Sequence, residues 1–132
     1  MEQQNSWLTG KTALVTGAAK RIGRATALAL AAEGVNVVIH YGASSDEAEV
    51  VATEAREMGV KAWTMHANLR ESVEAENLLP QAVDVAGQIQ ILINSASIFT
   101  PSRLIDFTWE ALADNVQVNA IAPLLLARAF AA

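Results

Sequence analysis

Short apolar runs alternate along the chain with longer stretches in which apolar residues return every three or four positions. The short runs are 12–16 "TALVT", 36–40 "NVVIH", 61–67 "KAWTMHA" and 90–94 "QILIN". Each is read as a β-strand, and the first, second and fourth are nearly continuous, as strands covered on both faces are. The stretches 21–33, 45–58 and 70–86 carry helical periodicity, and another helical segment runs from about 108 to the last residue. Parallel strands need crossovers of this length, and those crossovers are right-handed. The order βαβαβαβα therefore predicts an α/β fold. It is a Rossmann-like doubly wound parallel sheet, present as its N-terminal half and incomplete at the C-terminal side.

Local signals place the helix ends. Alanines at 25, 29 and 32 predict an inward face on the first helix that allows close approach to the sheet, and Gly34 suits a left-handed cap. Ser44 and Glu47 have capping-box spacing at the start of the second helix. Ala48, Val51, Ala52, Ala55 and Met58 form its apolar stripe, and Gly59 ends it. Pro80 predicts a kink or break in the third helix. With no repeat or low-complexity linker, residues 1–132 are expected to form one domain.

Composition narrows the functional classes. With 132 residues, 52% hydrophobic and 17% charged, the chain can bury a dense core and is not disordered. A net charge of −5 with no basic block argues against a nucleic-acid partner. The absence of cysteine removes disulfides and thiolate metal sites, and His40 and His66 are too far apart for a zinc spacing, so no metal is expected. The opening "MEQQNSWLTGK" lacks the regions of a signal peptide. No apolar run reaches the ~20 residues of a membrane helix. A soluble, cytoplasmic protein in a reducing compartment is the expectation.

Against that acidic background, "VTGAAKRIGR" at 15–24 stands out. A turn between strand and helix places backbone N–H groups and a helix N-terminus where a phosphate can sit. Gly17 permits the tight turn and Gly23 lets helix and strand pack closely. Arg21 occupies the middle glycine position, and an outward guanidinium would face a pyrophosphate or a substrate. Cations at a helix N-terminus are unfavourable without an anion. Lys20, Arg21 and Arg24 therefore point to a bound phosphate rather than to a merely solvated helix start. A strand end that selects NAD normally carries an acid for the ribose hydroxyl. Here the second strand ends in His40-Tyr41-Gly42-Ala43, and the first carboxylate is Asp46. Lys20, His40, Ser44 and the N-terminus of the second helix would instead accommodate a 2′-phosphate. NADP(H) is expected over NAD(H).

"TGAAKRIG", "NSAS" after the fourth strand and an asparagine in the following helix together resemble the short-chain dehydrogenase/reductase family. The arginine-bearing turn, "IHYGASSDEA" and "NSASIF" look most like its pteridine-reductase branch. The resemblance covers essentially all of the chain from Thr9 onward. It implies that Gly17, Lys20, Arg21, Ile22 and Gly23 bind the cofactor phosphates, with His40, Tyr41 and Ser44 on the adenine side. Asn68 and Leu69 would read the adenine, and Asn94, Ser95, Ala96 and Ser97 would lie beneath the ribose and nicotinamide. Arg21, Ser97 and Phe99 would meet the substrate, Phe99 by stacking. Three positions depart from the pattern. Asn68 stands for an aspartate, Asn-Ser-Ala-Ser for Asn-Asn-Ala-Gly, and Ala43 for the arginine of the pteridine branch.

Hydride transfer needs a proton donor. The resemblance implies a tyrosine, a lysine four residues later, an upstream serine and an asparagine, and of these only Asn119, in "NVQVNAIAP", is present. Pro123 has no N–H, so no helical bond from it can reach the Asn119 carbonyl, which would be left free to hold a relay water. Tyr41, the one tyrosine, is followed four residues later by Ser45. The first reading is thus the N-terminal half of an oxidoreductase that transfers hydride to or from a carbonyl or pterin-like substrate and is homo-oligomeric when complete. The segment alone would be inactive. The alternative is a non-catalytic dinucleotide-binding or interaction module. The uncapped ending "LLLARAFAA" and the apolar edge "QILIN" favour the first. A methyltransferase ranks below both, because it wants the missing acid after the second strand.

Overall fold

The computed structural model describes residues 6–132. Four strands, β1 (Thr12–Val15), β2 (Asn36–Tyr41), β3 (Ala62–His66) and β4 (Ile91–Ile93), form one parallel sheet in the order β3-β2-β1-β4. Leu14 pairs in register with Val38 on one side and Leu92 on the other. Successive strand residues point to opposite faces, and both faces are filled. Ala13, Val15, Val37 and Ile39 pack with α1 (Arg21–Ala32) and α2 (Ser45–Glu57). Leu14 and Val38 pack on the other side with Leu78 of α3 (Ser72–Ala86) and Leu126 of α5 (Ala122–Ala131). Two-sided burial is why these strands are continuously apolar.

The inward face of α1 differs from the sequence expectation. Ala25, Ala29 and Ala32 are exposed, and the buried line is Gly23, Ala27 and Ala31. Gly23 must face the turn after β1, and steps of four along a helix then carry Ala27 and Ala31 onto the sheet. On α2 the expected stripe is buried from Ala48 to Ala55, whereas Met58 is exposed. The capping box does not form. Ser44 makes no side-chain cap bond, and Glu47 pairs with Lys20 rather than reaching back to the cap. Pro80 does not break α3, which runs unbroken from Ser72 to Ala86.

The last helical segment is continuous but not uniform. α4 (Trp109–Val116) passes through a π-helical turn at Gln117–Ile121 into α5. Pro123 falls in the first turn of α5. The wider turn lets the chain continue past a residue that cannot donate a helical bond. All four strands run the same way, so the loops after β1, β2, β3 and β4 gather at one end of the sheet. Ligands bind at that carboxyl end in folds of this kind.

Candidate functional site

The turn after β1 is built without spare room. Gly17 has φ +59, and a Cβ there would lie 2.7 Å from the Cα of Ala96. A Cβ on Gly23 would run into the Gly17 carbonyl oxygen. Arg21 takes the left-handed φ of 53, the conformation that glycine adopts freely at such a position. Its exposed side chain turns to the cleft, as an outward guanidinium requires.

Two polar residues that sequence reasoning did not assign to this role hold the turn to its neighbours. Thr16 is buried, and its Oγ1 accepts the N–H groups of Ser95 and Ala96, each at 3.0 Å. This fixes the loop after β4 against the end of β1. His40 is also buried. Its Nδ1 accepts the Gly17 N–H at 3.0 Å, its Nε2 lies 2.9 Å from the Ala67 carbonyl, and its own carbonyl accepts the Ala18 N–H at 2.9 Å. Because Gly17 donates, Nδ1 carries the lone pair and Nε2 the hydrogen, so the ring is neutral. Burial pushes its pKa below the usual histidine value; the Ala67 bond opposes this and nearby His66 adds to it. The expectation that His40 reaches a 2′-phosphate is corrected, since both ring nitrogens are taken by the backbone.

These turns enclose a cleft of about 570 Å³. Gly17, Lys20, Arg21, Ile22, Gly23, His40, Asn68, Leu69, Ser95, Ala96 and Ser97 line it, bringing most of the expected site residues together. Tyr41, Ser44, Asn94, Phe99 and Asn119 lie outside that lining. Lys20 Nζ sits 3.0 Å from Glu47 Oε2 at the rim. The Tyr41 ring packs on His66, centroids 5.6 Å apart. Asn68 Oδ1 accepts the Arg70 N–H at 3.1 Å, while Gln117 Nε2 donates to the Leu69 carbonyl at 3.4 Å. Asn94 Nδ2 donates to the Pro123 carbonyl at 3.4 Å. The Asn119 side chain grips Ile98 from both sides: Oδ1 accepts its N–H and Nδ2 donates to its carbonyl, each at 2.8 Å. Phe99 is 85% exposed and is not a core plug. Among the described residues no acidic, histidine or cysteine cluster has the arrangement of a metal site.

The chain matches the short chain dehydrogenase family over residues 11–132. It belongs to that family. A 3-oxoacyl-[acyl-carrier-protein] reductase of Staphylococcus epidermidis is 36% identical over 109 residues, which is 83% of this chain and 45% of the relative. A short chain dehydrogenase from Burkholderia cenocepacia in complex with NADP superposes with a TM-score of 0.92 at 33% identity, covering 96% of this chain and 51% of that one. A blue fluorescent protein from a metagenomic library, in complex with NADPH, gives 0.85 at 27% identity over 94% of this chain and 51% of that one. The chain thus spans about half the length of these relatives. The curated relative is an oxoacyl reductase, and the pteridine-reductase branch read from the sequence gains no support from it.

Proposed function

We propose that this chain supplies the NADP(H)-binding half of a short chain dehydrogenase that transfers hydride to or from a carbonyl compound. The observation that carries the reading is the sealed Gly17–Gly23 turn opening onto the cleft with Lys20 and Arg21 at its mouth. The residues fit a dinucleotide. Side chains at 17 and 23 would fill the space where the turn closes on Ala96 and on itself. The first turn of α1 offers N–H groups without intrahelical partners, and the exposed cations answer an anion. No acid at the end of β2 repels a 2′-phosphate. The bound nicotinamide supplies or takes the hydride.

The chain's own residues bind and orient. Lys20 exchanges Glu47 for the 2′-phosphate, Asn68 and Leu69 flank the adenine, and Ser95 to Ser97 form the floor of the cleft. Asn119 acts on the site through Ile98, and Asn94 ties the same loop to α5 through the Pro123 carbonyl. No Tyr-x-x-x-Lys pair occurs in the sequence, so residues 1–132 alone bind cofactor without turnover. The complete enzyme works in the cytoplasm as a homo-oligomer. An oxoacyl-type carbonyl is the favoured substrate class, in line with the 3-oxoacyl reductase relative. A pterin-like ring is the second reading, favoured by the Arg21 guanidinium at the cleft and the exposed Phe99 ring.

Titration calorimetry tests the cofactor assignment. NADPH is expected to bind more tightly than NADH. Lys20→Met should weaken NADPH about fivefold, the scale of an exposed charge pair, and leave NADH unchanged. Equal affinities for the two cofactors in the unsubstituted chain would remove the proposal's choice of NADP(H). NADPH oxidation by residues 1–132 with a carbonyl or pterin substrate would remove the missing-donor argument.

A further inference from the structure

The buried imidazole of His40 has both ring nitrogens on backbone groups, and it ties the phosphate turn at Gly17 to the loop that follows β3 at Ala67. We propose that His40 is the latch of the dinucleotide turn, a positioning residue that holds Gly17 in its ligand-accepting form while neutral and releases it on protonation. This rests on the dinucleotide reading above. The two hydrogen bonds of the ring are unequal in what they tolerate. The Ala67 carbonyl accepts from Nε2–H in either protonation state. The Gly17 N–H can donate only to an unprotonated Nδ1, so a second ring proton sets two donors face to face at a 3.0 Å separation. The Ala18 N–H is held by the backbone carbonyl of the same residue. Residue 40 therefore takes up both N–H groups at the bend and leaves those opening α1 for an anion.

The groups around the ring sharpen the expected response. His66 at the end of β3, Tyr41 beside it in β2, Lys20 and Arg21 on the turn and Arg70 after β3 surround this end of the cleft. Lys20 is answered by Glu47 of α2, and Glu74 of α3 accepts the Asn68 N–H. His66 is the neighbour whose charge acts on the ring, and it opposes protonation. Burial acts in the same direction. A histidine held below its ordinary value of 6.5 contributes stability that is complete above that value and is lost as pH falls through the folded-state value. Dinucleotide affinity should decline only as pH falls through the folded-state value itself, where the ring gains its proton.

The decisive comparison is with His40→Asn, whose amide oxygen can accept from Gly17 but gains no proton in this range. NADPH affinity, measured by calorimetry from pH 8 downward, should fall about threefold or more further in the unsubstituted protein than in His40→Asn once pH passes below the His40 midpoint. Titration of the ligand's own 2′-phosphate occurs in both and drops out of the ratio. In the ligand-free protein, the Gly17 amide resonance should move with the same midpoint as the His40 ring. A pH profile identical in the two proteins across the His40 midpoint, a ring that never protonates while the protein stays folded, or a Gly17 amide indifferent to ring protonation would each overturn the latch. Absence of NADPH binding by both proteins at pH 8 would instead overturn the dinucleotide reading, and the Gly17 amide would still decide the latch.

Discussion

The two ends of the cleft are made differently. At the β1–α1 end the turn is tightly held: Gly17 against Ala96, Gly23 against the Gly17 carbonyl, His40 taking the N–H groups of Gly17 and Ala18, and Thr16 those of Ser95 and Ala96. At the other end, beyond Ser97, the chain runs out over the surface. Phe99, Leu104 and Ile105 are 85%, 87% and 84% exposed. The Asn119 grip on Ile98 is the main polar tie of that loop. The closed end suits a ligand group common to many enzymes, the phosphates of a dinucleotide. The open end can vary without disturbing the sheet, which suits the part that meets a substrate.

Substitutions should respect this division. Gly23→Ala is expected to be the most damaging, because its methyl group meets a backbone carbonyl that cannot move away. A loss of about 3 kcal/mol or more should appear in thermal unfolding, and an unchanged melting temperature would dissolve the contrast between the ends. Thr16→Val attacks the seam between them. It leaves the Ser95 and Ala96 N–H groups without an acceptor, so a loss of about 2 kcal/mol is expected, with Thr16→Ser restoring most of it. Denaturant midpoints of the two variants make the comparison. At the open end Phe99→Ala should change stability by less than about 0.5 kcal/mol. A larger loss would mean that the exposed ring is part of the folded framework.

The strands and helices were readable because burial on both faces writes itself as unbroken apolar runs, and the glycines of the turn because few residues tolerate such backbone. The phase of α1 was misjudged because alanines occur at nearly every inward and outward step. Only the contact of Gly23 with the turn sets which of them face the sheet. Thr16 looked like one more β-branched strand residue; its role depends on a loop that arrives after β4. His40 was read as a group that could accommodate a 2′-phosphate, and it is a buried, neutral ring. Its partners lie in the loops that follow β1 and β3, which no local pattern reveals. Ser44 and Glu47 had the spacing of a cap, but Lys20 drew the carboxylate away. Most of the expected site residues still converge on one cleft, because parallel strands deliver all their following loops to the same end.

The strand order also sets a timetable for synthesis. β1 finds β2 as its neighbour early, Val15 meeting Ile39, but its other flank waits for Ile93. Until β4 has left the ribosome, the nascent chain holds a strand with one bare side, and Ala96 has not yet arrived against Gly17. That interval is when a growing polypeptide of this topology is most open to pairing with the wrong strand, and the pairing of β1 with β4 ends it.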